Sequence, residues 1–202
     1  MAVLAAAVVI FRLTGRIGQD VGPDDRFVVV RVIDGDTVEL KGGDILRLLA
    51  VDAPEKDDPY YEEAREFLTA MTLGKPVRIT YGGGRRDRYG RLLGFLYVDD
   101  TMVNQAILAN GLGYLYLFRE NTGLPEIAGL LTAQKEAIAS GRGLWAAPRS
   151  PEDYYINKSG SFRFHRPGCR SIGELRPGTY RIIATREEAC AEGLSPCRNC
   201  RP

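Results

Sequence analysis

The sequence predicts an α+β protein: a five-stranded OB-type β-barrel packed with three α-helices, followed by a small C-terminal α/β module. Three observations carry that reading. Segments patterned as strands and helices run as three strands, a helix, two strands and two helices, which suits such a barrel. All four cysteines and the single histidine lie beyond residue 153. Charge divides at the same place: residues 154–202 hold nine Lys/Arg against four Asp/Glu, a net of +5, so the first 153 residues carry −4 of the overall +1. With 45% hydrophobic residues among 202, the chain has the apolar content for a real core and is not disordered as a whole. The expected organisation is an apolar segment and linker over 1–26, the barrel over 27–147, a linker over 148–153 around Pro148-Arg-Ser-Pro151, and the module over 154–202.

Phe27–Ile33 is a β-branched run and reads as the first strand. Asp34-Gly35-Asp36 is a turn, after which Thr37–Leu40 resumes extended structure. Lys41-Gly42-Gly43-Asp44 reads as a hairpin turn that returns through Ile45–Val51. The first helix is expected to use Asp58 as N-cap and Pro59 at its first position, to bury Ala64, Phe67, Leu68 and Met71, and to stop at Gly74. Strands follow at Val77–Tyr81 and Leu92–Val98, with the basic, glycine-rich loop Gly82–Arg88 between them. A short helix over Val103–Asn110 ends at Gly111. A third starts at Pro125, buries Ile127, Leu130, Leu131, Gln134 and Ile138, and ends at Gly141.

The hairpin serves as a ruler for the acidic residues. With Gly42 and Gly43 as a two-residue turn, Val38 opposes Arg47, Asp36 opposes Leu49 and Ile33 opposes Asp52. Asp36 and Asp52 then share the open end of the hairpin, about 10 Å apart on straight strands, and bends at Asp34–Asp36 and Ala53-Pro54 let the carboxylates converge. Two carboxylates and a freed carbonyl are hard oxygen ligands that suit Ca²⁺ or Mg²⁺. Glu55 follows in a loop, where its carboxylate is placed to take a proton from water. Arg47 lies inside the apolar run Leu46-Arg47-Leu48-Leu49, where a charge needs a partner. Arg91 enters the next strand after Tyr89-Gly90. Two guanidiniums facing two carboxylates and a divalent ion make a site for a phosphodiester. The same residues also read as turn and cap acids with two structural salt bridges. The residues alone leave both readings open.

Five motifs in order weight the choice. They are Val32-Ile-Asp-Gly-Asp-Thr-Val38, Leu46-Arg-Leu-Leu-Ala-Val-Asp-Ala-Pro-Glu55, Asp87-Arg-Tyr-Gly-Arg91, Met102-Val-Asn-Gln-Ala106 and Gly143-Leu-Trp145. Over roughly 27–147 the chain resembles the staphylococcal (micrococcal, thermo-) nuclease family. The resemblance implies Ca²⁺ ligands at Asp36, Asp52 and the backbone carbonyl of Ala53, which replaces a threonine of the staphylococcal enzyme. It implies a general base at Glu55, phosphate-binding arginines at Arg47 and Arg91, and substrate-site roles for Asp34, Arg88 and Tyr89. The family's phosphate-contacting tyrosine carries over to Tyr116 after a one-residue shift; ungapped alignment places Leu117 there.

In the tail, His165 and Cys169 with Cys197 and Cys200 give H-x3-C…C-x2-C, the spacing of a closed tetrahedral Zn²⁺ site. Two disulfides are the alternative, but a Cys-x2-Cys knuckle pairs poorly with distant partners and so small a module needs a staple. The tail resembles the zinc-binding domain of the Ada DNA-repair protein, down to its Pro-Cys-x-x-Cys-Arg-Pro ending, with His165 in place of the first cysteine. Cys190, on an expected helix, matches no ligand and reads as a small buried hydrophobe.

The expected function is a Ca²⁺-dependent endonuclease that cleaves the 5′-O–P bond of DNA and RNA to leave 3′-phosphates, with the basic tail adding affinity. Its rivals are an inactive nuclease-like nucleic-acid-binding protein and a DNA-damage sensor centred on the zinc module. The joint presence of Asp36, Asp52, Glu55, Arg47 and Arg91 favours activity. No protein partner is implied and a monomer is expected. Met1–Phe11 is about half of the roughly 20 apolar residues that span a bilayer. It reads as an export signal or anchor, or as a plain strand-like terminus, and a secreted or cell-envelope location is favoured over the cytoplasm.

Overall fold

The computed structural model describes residues 26–146 and 152–202; the apolar segment Met1–Phe11 and the Pro148–Pro151 boundary lie outside them. Its first eight strands are β1 (Arg26–Asp34), β2 (Thr37–Leu40), β3 (Ile45–Leu48), β4 (Val51–Asp52), β5 (Pro76–Thr80), β6 (Leu92–Val98), β7 (Thr101–Met102) and β8 (Tyr114–Leu115). Of these, β1, β2, β3, β5 and β6 form the barrel, β7 extends β6, and β4 pairs with β8 apart from it. Three helices accompany them: α1 (Tyr61–Thr72), α2 (Val103–Ala109) and α3 (Glu126–Ala139). β1 pairs with β5 at its start and with β2 further along, and two register shifts bend it from one neighbour to the other. The sheet continues β2 to β3 and β5 to β6, and parallel pairing of β3 with β6 closes the five-stranded barrel. Alternation along β2 and β3 turns Val38, Leu40, Leu46 and Leu48 into the interior, each at most 1% exposed.

The helices seal the barrel as their apolar spacing predicts. α1 buries Ala64, Leu68 and Thr72, with Phe67 and Met71 against the same core. α3 buries Ile127, Leu130, Ala133, Gln134 and Ala137, while Leu131 and Ile138, expected inside, are half-buried. At the end of α2, Gly111 has φ +66°, and a Cβ there would meet the Arg142 carbonyl oxygen at 2.1 Å. That close approach seats the 3₁₀ turn Gly143–Trp145.

Three local expectations are corrected. The hairpin pairs Thr37 with Arg47 and Val38 with Leu46, one residue away from the expected register. Leu40 N–H donates to Asp44 O and Gly43 N–H to Leu40 O, both at 2.9 Å, so the turn has three residues. The slip puts Arg47 beside Thr37 on the site face and leaves the apolar residues facing the core. The strand expected over Ile45–Val51 breaks at Ala50, whose φ of 60° redirects the chain into β4. Asp58 does not cap α1: Tyr60, at φ 67°, occupies the N-cap, and Asp58 accepts from the Glu55 N–H instead.

The C-terminal residues form β9 (Tyr155–Lys158), β10 (Arg163–His165), β11 (Tyr180–Ile183), α4 (Arg186–Ala191) and β12 (Ser195–Pro196), in a sheet ordered β11-β9-β10-β12. Their core of Tyr155, Phe164, Ile183, Ala189 and Cys190 is continuous with Tyr114 and Leu144 of the barrel part. The buried Gln134 side chain joins the two, accepting from Leu115 N–H at 2.7 Å and donating to Cys190 O at 2.6 Å. Arg186, 4% exposed, stacks 4.7 Å over Trp145 and donates to the Tyr114 hydroxyl and Leu144 O. Among the described residues no helix is long and apolar enough to cross a membrane.

Candidate active site

The turn between β1 and β2 reaches the end of β4 because Gly35 has no side chain. A Cβ there would lie 2.7 Å from both the Ala53 and Ala64 methyls, so any other residue would push the turn away from Ala53. Across this contact the buried Asp36 carboxylate accepts from Ala53 N–H at 3.0 Å and from the Thr37 hydroxyl at 2.8 Å. Asn104 braces the kink before β4, donating to Leu49 O at 2.8 Å while accepting from Leu96 N–H at 2.9 Å.

The Arg47 guanidinium binds Asp36 with one nitrogen and, with another, Asp52 at 3.0 Å and Val51 O at 3.2 Å. The two carboxylates therefore converge on one cation. Burial disfavours the Arg47 charge, but Asp36 and Asp52 outweigh it and hold the guanidinium above its ordinary range. Asp34 accepts from Asp36 N–H at 3.0 Å; burial first, then the Asp36 charge, pushes its carboxyl up to about 6. Asp34, Asp36, Arg47, Ala53, Glu55 and Arg91 line one cleft of about 120 Å³, with Asp52 against it through Arg47. The Glu55 side chain is 62% exposed. Arg91 is held from its own loop by Asp87, 2.7 Å away.

The remaining sequence candidates divide. Tyr116 is half-buried, 5.2 Å from the Arg198 guanidinium that lines the cleft, whereas Leu117 is in the core. Arg88 and Tyr89 bond each other at 2.6 Å on the exposed loop and are outside the cleft lining. Three residues that sequence reasoning missed come from the C-terminal part. Arg198 forks onto Asp52, with its Nε 3.3 Å from Oδ2, and stands 5.2 Å from the Tyr116 ring. Its bonds to Asp52 raise its pKa against the effect of burial. Arg163 lies 3.6 Å over Tyr116, and Arg201 pairs with Asp58 at 2.6 Å.

A second constellation lies in the C-terminal sheet. One potential ligand atom from each of His165, Cys169, Cys197 and Cys200 lies within 4.8 Å of the others. All four cysteines are free in this structure. His165 Nδ1 is buried without a hydrogen-bond partner, and burial, then Arg163 and Lys158, lower the imidazole pKa toward its neutral, metal-binding form. Cys190 stands apart, fully buried on α4.

Residues 45–147 match the family model described as staphylococcal nuclease homologue. An uncharacterized endonuclease of Escherichia coli O157:H7 is 38% identical over 123 residues, covering 58% of this chain and 75% of the relative. The thermonuclease of Staphylococcus hyicus is 32% identical over 132 residues, covering 61% and 77%. The micrococcal nuclease of Shigella flexneri is 31% identical over 143 residues, covering 65% and 79%. A family match across half the chain, with relatives covered over three quarters of their length, places the chain in the staphylococcal nuclease family.

Proposed function

We propose that this protein is a Ca²⁺-dependent endonuclease that hydrolyses DNA and RNA and leaves 3′-phosphate and 5′-hydroxyl ends. The observation that supports it best is the single cleft in which Arg47 joins Asp36 to Asp52 while Glu55 and Arg91 line the walls. The donor set fits the ion: two carboxylates already gathered on one cation, next to the backbone of Ala53, are hard oxygen ligands. Asp36, Asp52 and the Ala53 carbonyl would hold it, and bound calcium supplies Lewis-acid stabilisation of phosphate charge.

The chain's own groups account for the rest. Arg47 and Arg91 offer planar forks to phosphate oxygens and grip harder as negative charge grows during the reaction. Glu55, open to solvent, takes a proton from the water that adds to phosphorus opposite the departing 5′-oxygen. In this reading Tyr116, 5.2 Å from the Arg198 guanidinium, contacts the same phosphate, and Arg88 and Tyr89, on their exposed loop, meet the substrate beyond the cleft. The nature of the product ends rests on the family resemblance. For the second centre, three clustered cysteine sulfurs and the unpartnered imidazole nitrogen support a structural Zn²⁺.

The test compares plasmid and RNA digestion by the unsubstituted protein and Glu55→Gln, in Ca²⁺ or EGTA, with end-group analysis. Cutting in Ca²⁺ alone is expected, and Glu55→Gln should bind DNA yet cut about 10²–10⁴-fold more slowly. Equal rates for the two proteins, or fragments with 5′-phosphates, would contradict the assignment.

A further inference from the structure

The Cys197–Cys200 turn belongs to two sites at once. Its cysteines are two of the four clustered ligands, and the residue after the first of them, Arg198, is what the C-terminal sheet contributes to the nuclease cleft. Besides forking onto Asp52, the Arg198 guanidinium stands 3.9 Å from Glu55. The backbone behind it is fixed. Cys197 N–H donates to Phe164 O at 2.9 Å and Arg201 N–H to Cys197 O at 2.8 Å, while the Arg201 side chain is tied to Asp58. An arginine on a short turn anchored at both ends is a mounted group.

The charge balance says what it is mounted for. Asp34, Asp36, Asp52 and Glu55 face Arg47, Arg91 and Arg198, and Asp87 holds Arg91 from its loop, so negative charge is in excess by two, which repels a phosphodiester. A divalent cation taken by Asp36 and Asp52 cancels that excess. It also draws Asp52 away from the half-exposed Arg198 guanidinium, leaving it only the solvent-open Glu55 at 3.9 Å. A phosphodiester oxygen entering the cleft is the anion that a planar fork binds best.

We propose that Arg198 is a third phosphate-binding guanidinium of the nuclease site, held there by the metal-loaded His165–Cys169–Cys197–Cys200 cluster; this deepens the nuclease reading and rests on it.

The test uses the full chain carrying Glu55→Gln, so that a short fluorescent single-stranded DNA stays intact in Ca²⁺ while its binding is measured at several salt concentrations. Adding Arg198→Ala should weaken binding about tenfold or more, as loss of a charge-assisted contact does. The salt slope should fall by about 0.7, one phosphate contact fewer. Arg198→Lys should recover part of the affinity, and both variants should keep their zinc, which separates a lost contact from a lost module. Stripping zinc with a zinc-selective chelator under excess calcium should weaken the Arg198 protein to the same level and leave Arg198→Ala unchanged. Arg176→Ala, whose exposed guanidinium pairs with Glu174, should bind like the parent. Unaltered affinity and slope in Arg198→Ala overturn the inference while calcium-dependent cutting by the unsubstituted protein keeps the nuclease reading. Tighter DNA binding, or cutting at lower calcium, by Arg198→Ala in the cutting-competent protein also overturns it, by making the arginine a competitor of the ion. If the unsubstituted protein does not cut, the nuclease reading fails by itself, and lowered DNA binding by Arg198→Ala still upholds the contact.

Discussion

Arg47→Ala removes the cation shared by Asp36 and Asp52, whose side chains are 5% and 11% exposed. Breaking a buried ion pair from one side costs about 3–5 kcal/mol, because the remaining charge is left without its partner. Here the loss is cushioned. Asp36 keeps the Thr37 hydroxyl and the Ala53 N–H, and Asp52 keeps Arg198. That argues for the lower end, about 3 kcal/mol, or a fall in Tm of about 6–12 °C for a chain of this size. Calcium should narrow the gap, since a divalent ion replaces the missing positive charge between the same carboxylates. Arg47→Lys should recover most of the stability but not the cutting rate, because an ammonium cannot present a planar fork; a rate loss of about 10²–10³ is expected. Thermal unfolding in EGTA and in Ca²⁺, with initial rates on plasmid DNA, reads both effects. If Arg47→Ala melts with the parent in EGTA, or if calcium widens the difference, the carboxylates are not balanced by this arginine and the reasoning fails.

Two further outcomes test the surroundings of the cleft. The protein should release one equivalent of Zn²⁺ on denaturation; Cys197→Ser should abolish that release and Cys190→Ala should not, while a native disulfide among the four cysteines would refute the site. Asp87→Asn should free Arg91 and slow cutting. Asp87 lies below the ordinary carboxylate value because Arg91 and the Tyr89 and Arg91 amides outweigh the effect of partial burial. The pair's contribution to stability is therefore whole above about pH 4 and is lost as pH falls through the lower folded value. An acid unfolding curve of Asp87→Asn that retains the parent's full dependence below pH 4 would show the pair to be unimportant.

The barrel was legible where periodicity decides structure. Val38, Leu40, Leu46 and Leu48 occupy the core, and β6 coincides with the expected Leu92–Val98. The hairpin register was not, because Gly42-Gly43 looks like a complete two-residue turn while Gly43, at φ 93°, closes a three-residue one. Asp58-Pro59 has the composition of a helix start, yet the left-handed Tyr60 delays the helix. Arg47 announced itself as a charge inside an apolar strand that needs a partner. Arg198 did not. Nothing in Cys197-Arg198-Asn199-Cys200 distinguishes a solvent-facing arginine from one bound to a carboxylate 146 residues earlier.

The same difficulty governs the tail's net charge. As composition, +5 against −4 pointed to an external grip on nucleic acid. In the fold, Arg166, Arg176 and Arg181 pair with Glu152, Glu174 and Glu192. Arg163, Arg186, Arg198 and Arg201 are spent on the barrel part: on the Leu117 carbonyl and the Tyr116 ring, on Trp145, on Asp52 and on Asp58. Opposite charges on two parts of one chain meet each other at an effective concentration that a separate polyanion must exceed. The split thus reports first on how the two parts dock, and only what the docking leaves at the cleft remains for a phosphate. Affinity for nucleic acid should then depend on the guanidiniums around Asp36 and Asp52 more than on the count of arginines in the tail.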